Sequence, residues 1–107
     1  MKLTIIISND DPETIWNAFR FANFSIKEDD KVQVFLLGKG VDYEGLSTER
    51  FNLLEQAKEF VESENAEIFA CGTCLQIRHQ ESTGLCPVST MANLYELVKE
   101  SDKVLTF

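Results

Sequence analysis

The sequence predicts an α/β fold: a three-layer α/β/α sandwich around a mostly parallel five-stranded sheet, of flavodoxin-like topology. Three observations carry this. Leu3 to Ile7 is continuously apolar or β-branched, as expected of a strand buried on both faces. The segments between such runs repeat apolar residues at three- and four-residue steps, the spacing of one helix face. Strand-like and helix-like segments then alternate along the chain, the order that crossover helices over a parallel sheet require.

The first strand ends in Ser8-Asn9-Asp10-Asp11-Pro12-Glu13, which supplies an N-cap candidate, a proline for the first helical position and acid in the first turn. Ile15, Phe19 and Ala22 predict a helix from about Pro12 to Phe24, with Ile26 just past its end. Val32 to Leu37 reads as the second strand. Three glycines among the next eight residues, Gly38 to Gly45, read as a mobile loop over the crevice at the strand ends, with Tyr43 and Glu44 as parts of a lid. Phe51, Leu54, Ala57, Phe60 and Val61 predict a helix from about Thr48 to Ser63. Ala66 to Ala70 is the third strand, and Leu75 with Ile77 suggests a short helix after it. Leu85 to Val88 is a short fourth strand. Ser89 or Thr90 caps a helix carrying Met91, Leu94, Leu97 and Val98 on one face, and Val104 to Phe107 closes the sheet.

The 107 residues form one domain, residues 1–107, with no repeat, linker or low-complexity segment. A domain of this size covers its sheet poorly, so apolar surface is left for subunit contacts. Net charge is −8, with 18 acidic against 10 basic residues and no basic cluster, which excludes nucleic acid as a primary partner. No apolar segment is long enough to span a bilayer, so no membrane partner is expected. The N-terminus reads as a strand rather than a signal peptide. Three cysteines, an odd number, then point to a reducing cytoplasm and free thiols.

The chemistry concentrates at Cys71-Gly72-Thr73-Cys74, where the third strand runs into its helix. Open α/β sheets present reactive groups at the carboxyl ends of their strands. A helix start there favours a thiolate, and Gly72 permits close backbone approach. A thiolate so placed can take up sulfane sulfur and pass it on as a persulfide. Cys71 is therefore the candidate nucleophile and Cys74 a second thiol whose role is open. The bland alternative makes both cysteines packing residues. Arg78 and His79 are candidate electrostatic helpers, and Ser8, Asn9, Gly38, Gly72 and Thr73 candidate pocket-lining residues.

Other readings of these residues fit less well. Cys71, Cys74, His79 and Cys86 follow C-x2-C-x4-H-x6-C, near a zinc-knuckle spacing, but the last gap is too long and the segment is threaded through a sheet. A thioredoxin-like dithiol follows an earlier strand, and Pro87 comes too soon after the pair. Gly38-Lys39-Gly40 lacks the rest of a nucleotide-binding motif. No metal or cofactor is expected.

The N-terminal strand, the helix with Phe19 and Ala22, and Val34-Phe35-Leu36-Leu37-Gly38 with its glycine-rich sequel resemble the DsrE/DsrF-like family, which includes TusD-like sulfur-relay subunits. So do Ile68-Phe69-Ala70-Cys71 and the closing Leu94-Tyr95-Glu96-Leu97 and Asp102-Lys103-Val104-Leu105 segments. The resemblance spans essentially the whole chain. It implies a persulfide carrier at Cys71, a protein partner that donates or accepts sulfur, a homo-oligomer (trimer or hexamer) with cysteines near subunit interfaces, and a cytoplasmic, prokaryotic setting. The chain departs from the TusD-like pattern in Gly72-Thr73-Cys74, where small apolar residues are usual. Cys74 thus has a resolving role open to it, discharging a Cys71 persulfide as a disulfide.

Overall fold

A computed structural model describes all residues, 1–107. Its strands are β1 (Lys2–Ile7), β2 (Lys31–Leu36), β3 (Ala66–Cys71), β4 (Val88–Ser89) and β5 (Lys103–Thr106). They form one fully parallel sheet in the order β4-β3-β2-β1-β5. The helices are α1 (Pro12–Lys27), α2 (Tyr43–Leu46), α3 (Leu53–Val61), α4 (Gly72–Ile77) and α5 (Met91–Glu100), with a 3-10 turn at Gly38–Asp42 leading into α2.

The class is as the periodicity predicts, whereas the strand order is not the 2-1-3-4-5 of a flavodoxin-like sheet. Here the chain steps outward from β1 through β2 and β3 to β4, then crosses back to lay β5 against the free side of β1. Apolar runs reveal that strands are buried and parallel, but not which strand neighbours which. With right-handed crossovers, the outward steps put their helices on one face and the return step puts α5 on the other.

On the first face, α1 and α3 close a core of nineteen buried residues, including Leu3, Ile5, Ile7, Phe19, Val34 and Phe60. On the second, α5 covers a smaller cluster of Phe35, Cys71 and Leu97, flanked by Leu37, Phe69, Cys74 and Leu94. Asp11 caps α1 by accepting from the Thr14 N–H at 2.9 Å. That helix continues to Lys27, so Ile26 lies within it and packs on the core rather than beyond its end.

Three further expectations are corrected. Residues 48–52 are not helical: Asn52 is the N-cap of α3, its side chain accepting from the Glu55 N–H. Phe51 instead packs its ring on Trp16, with centroids 5.4 Å apart. The fourth strand falls at Val88–Ser89 rather than Leu85–Val88, because Pro87 has no N–H to donate and contributes only its carbonyl, to Ala70 N–H at 2.8 Å.

The segment Gly38–Gly45 is structured, not a mobile lid. Gly40 is buried against β1, where a Cβ would fall 2.1 Å from the Ile7 carbonyl oxygen. Tyr43 is fully buried beside Phe19, and its hydroxyl donates to the Leu85 carbonyl. Glu44 accepts from the Thr83 hydroxyl at 2.6 Å.

Candidate functional site

Alternation along β3 sends Ile68 and Ala70 into the main core and Phe69 and Cys71 towards α5. Cys71 ends the strand and is the N-cap residue of α4, with extended backbone and no capping bond from its side chain. It sits in register with Ser89 of β4. Gly72 lets α4 start close against β4: a Cβ there would meet Val88 Cγ2 at 3.0 Å and the Ser89 carbonyl at 3.2 Å, so the neighbours would have to give by a few tenths of an ångström. Cys71 is 3% exposed. It opens onto a groove of about 500 Å³ formed with Gly72, Thr73 and Gln76 on one side and Val88, Ser89, Thr90 and Met91 on the other. No charged side chain lines this groove. The α4 helix is only six residues long, so its dipole is a smaller aid to a thiolate than the sequence pattern suggested.

Cys74 lies one turn further on and is half-buried. It packs against Cys71 and also against the main core. Gly38, in the left-handed region at φ 56, directs its N–H to Cys74 Sγ at 3.2 Å. Burial raises the Cys74 thiol above its ordinary range, and a hydrogen bond with the Cys71 sulfur adds to this. The Gly38 N–H and the Arg78 cation act the other way.

Of the remaining candidates, Arg78 is fixed beside the pair but not in the groove. It donates to the Cys74 carbonyl and to Asp42 Oδ2, both at 3.2 Å. His79 is exposed, with a left-handed backbone at φ 52, and is not among the groove's residues. Ser8 and Asn9 also lie away from it. The Ser8 N–H joins the Phe107 carbonyl, and Asn9 Oδ1 accepts from the Asp11 N–H to shape the turn into α1. Gly38 contributes through its amide to Cys74. Gly72 and Thr73 line the groove.

Cys86 belongs to another neighbourhood. Its thiol is buried against the Val41 carbonyl, and burial, with Glu44 and Asp42 nearby, pushes it up to about 11. The C-x2-C-x4-H-x6-C residues therefore do not converge, and no three His, Cys, Asp or Glu side chains come together as a metal-binding group.

Sequence reasoning missed Gln76, Met91 and the Ser89-Thr90 pair as groove residues, and Asp42 as the partner of Arg78. The capping signal at Ser89-Thr90 was visible. Its nearness to Cys71 depends on β4 lying beside β3, which no local pattern encodes.

The fold is that of the ychN protein from E. coli, whose crystal structure superposes with a TM-score of 0.83 over the whole of both chains at 24% identity. Two archaeal proteins, both described only as uncharacterized, align nearly end to end. One from Methanocaldococcus jannaschii is 36% identical, with 100% of each chain covered. One from Methanopyrus kandleri is 32% identical over 98% of this chain and 93% of its own. The model of the DsrE/DsrF-like family matches residues 1–107. With its full length matched and its sheet and helices in that arrangement, the chain belongs to the DsrE/DsrF-like family.

Proposed function

We propose that this protein is a small sulfur carrier, a sulfurtransferase-like relay that holds sulfane sulfur as a persulfide on Cys71. The observation that carries the reading is the placement of Cys71: a thiol at the carboxyl end of β3, next to the sheet's edge strand, opening onto a groove without charged side chains. The Cys71 thiolate attacks the terminal sulfur of a donor persulfide. An S–S bond forms to Cys71, the donor's S–S bond breaks, and the donor leaves as a thiolate. A second thiol entering the groove then takes the outer sulfur by the same exchange. Cys86 is unsuited to this work because burial keeps it protonated.

The donor or acceptor is a protein in this reading, acting in a prokaryotic cytoplasm, and the carrier is a homo-oligomer, a trimer or hexamer. Support for assembly comes from the α5 face. Met91, Tyr95 and Val98 form an exposed stripe on α5, and Val104 is exposed on β5 beside it.

Mass spectrometry after incubation with a sulfane-sulfur donor tests the carrier role. Cys74→Ala is expected to gain about 32 Da, one sulfur atom, at Cys71, and Cys71→Ala to gain nothing there. Failure of Cys71 to take up sulfur from any donor would overturn the reading.

A further inference from the structure

We propose that Cys74 is a resolving thiol that discharges the Cys71 persulfide within the same chain, releasing hydrosulfide and closing a Cys71–Cys74 disulfide. The inference rests on the carrier reading of Cys71 and adds an outcome to it: besides relaying sulfur, the protein reduces sulfane sulfur to sulfide.

The geometry supplies each requirement. Cys71 and Cys74 are three residues apart across the start of α4 and pack in one cluster. An N-cap residue and the residue three further on are neighbours at a helix start, as in a capping box, so a small approach brings the two sulfurs to disulfide distance. Cys74 packs on the small cluster that contains Cys71, which sets its thiol beside the inner sulfur of any persulfide formed there. The groove lies on the Cys71 side and gives an external thiol its access.

Two groups prepare Cys74 as a nucleophile. The Gly38 N–H points at its sulfur from 3.2 Å, and the Arg78 guanidinium is anchored on its carbonyl. Both favour a thiolate at this position. Burial first, and the neighbouring Cys71 second, oppose them and hold the Cys74 thiol above its ordinary range in the reduced protein.

The step balances without an outside oxidant. Cys74 Sγ attacks Cys71 Sγ, a bond forms between them, and the bond from Cys71 Sγ to the outer sulfur breaks with its electron pair leaving on that sulfur. The outer sulfur departs as hydrosulfide and is reduced, while the two cysteine sulfurs are oxidised to a disulfide. A low-pKa leaving group favours this direction. An external thiol then reduces the disulfide and restores the carrier.

The test uses reduced wild-type protein and Cys74→Ser, each loaded with inorganic polysulfide and freed of excess reagent by gel filtration. In wild type we expect about one equivalent of sulfide per chain and an intact mass about 2 Da below the reduced protein, the loss of two hydrogens. Cys74→Ser is expected to keep about 32 Da and release at least tenfold less sulfide until a thiol is added. Wild type that retains the adduct and releases no sulfide would overturn the resolving role while leaving the carrier role intact. Absence of the adduct in Cys74→Ser would overturn both.

Discussion

Gly40 and the three cysteines show how single positions decide what this site can be. The Gly40 N–H donates to the Leu37 carbonyl at 3.0 Å, and Leu37 in turn donates to Ile7 at 2.9 Å, so the chain leaving β2 is pressed onto the end of β1. No side chain fits between, since a Cβ would sit 2.1 Å from backbone oxygen. Gly40→Ala is therefore expected to cost about 2–4 kcal/mol in urea unfolding, with an unchanged denaturant slope. Gly45→Ala, where a Cβ meets nothing within 4 Å, should stay within about 0.5 kcal/mol of wild type. Equal effects would show that the close approach at Gly40 is not a constraint. Among the cysteines, a thiol at about 11 is ionised in only about one molecule in ten thousand at neutral pH, which removes Cys86 from nucleophilic work.

At the scale of elements, the segment after α4 is strapped to the turn before α2. Asp42 receives both Arg78 and Gln80, Glu44 receives Thr83, and Tyr43 reaches Leu85. Because Gly38 of the same turn contacts Cys74, the strap fixes α4 relative to the thiol pair. Asp42→Ala is expected to speed amide hydrogen exchange across residues 78–86 at least tenfold. Global stability should fall by less than about 1 kcal/mol, since a partly exposed ion pair contributes little. Unchanged exchange there would refute the strap's role. Much of this scale was legible in the sequence. Pro12 and Asp11 marked α1, Thr90 marked α5, and the apolar run into Cys71 marked β3. The glycines at 38, 40 and 45 misled, because they signal either looseness or tightness and only the position of Ile7 decides between them. Likewise Tyr43, polar at its tip, read as a lid residue although its ring fills the core. The groove opposite Cys71 was hidden for a different reason: it joins segments that are brought together only by the sheet order.

For the molecule as a whole, the two faces of the sheet are unequally covered. Several elements close the first, while α5 alone shields the second and turns an apolar stripe outward. Gln33, on the same side of β2 as Phe35, leaves its Oε1 buried without a hydrogen-bond partner, which adds to the cost of this face in an isolated chain. If the chain assembles through this stripe as proposed, Tyr95→Glu, adding charge to a chain already at −8, is expected to shift it towards monomer in size-exclusion chromatography with light scattering. A monomeric wild type would refute assembly through this stripe. The brevity of β4 has a consequence for timing. Only two residues, Val88 and Ser89, hold the outer wall of the groove to the sheet, and so short an edge is expected to open locally at low cost. For a thiol only 3% exposed, the proposed relay would then be limited by how often that margin opens rather than by the shape of the closed groove.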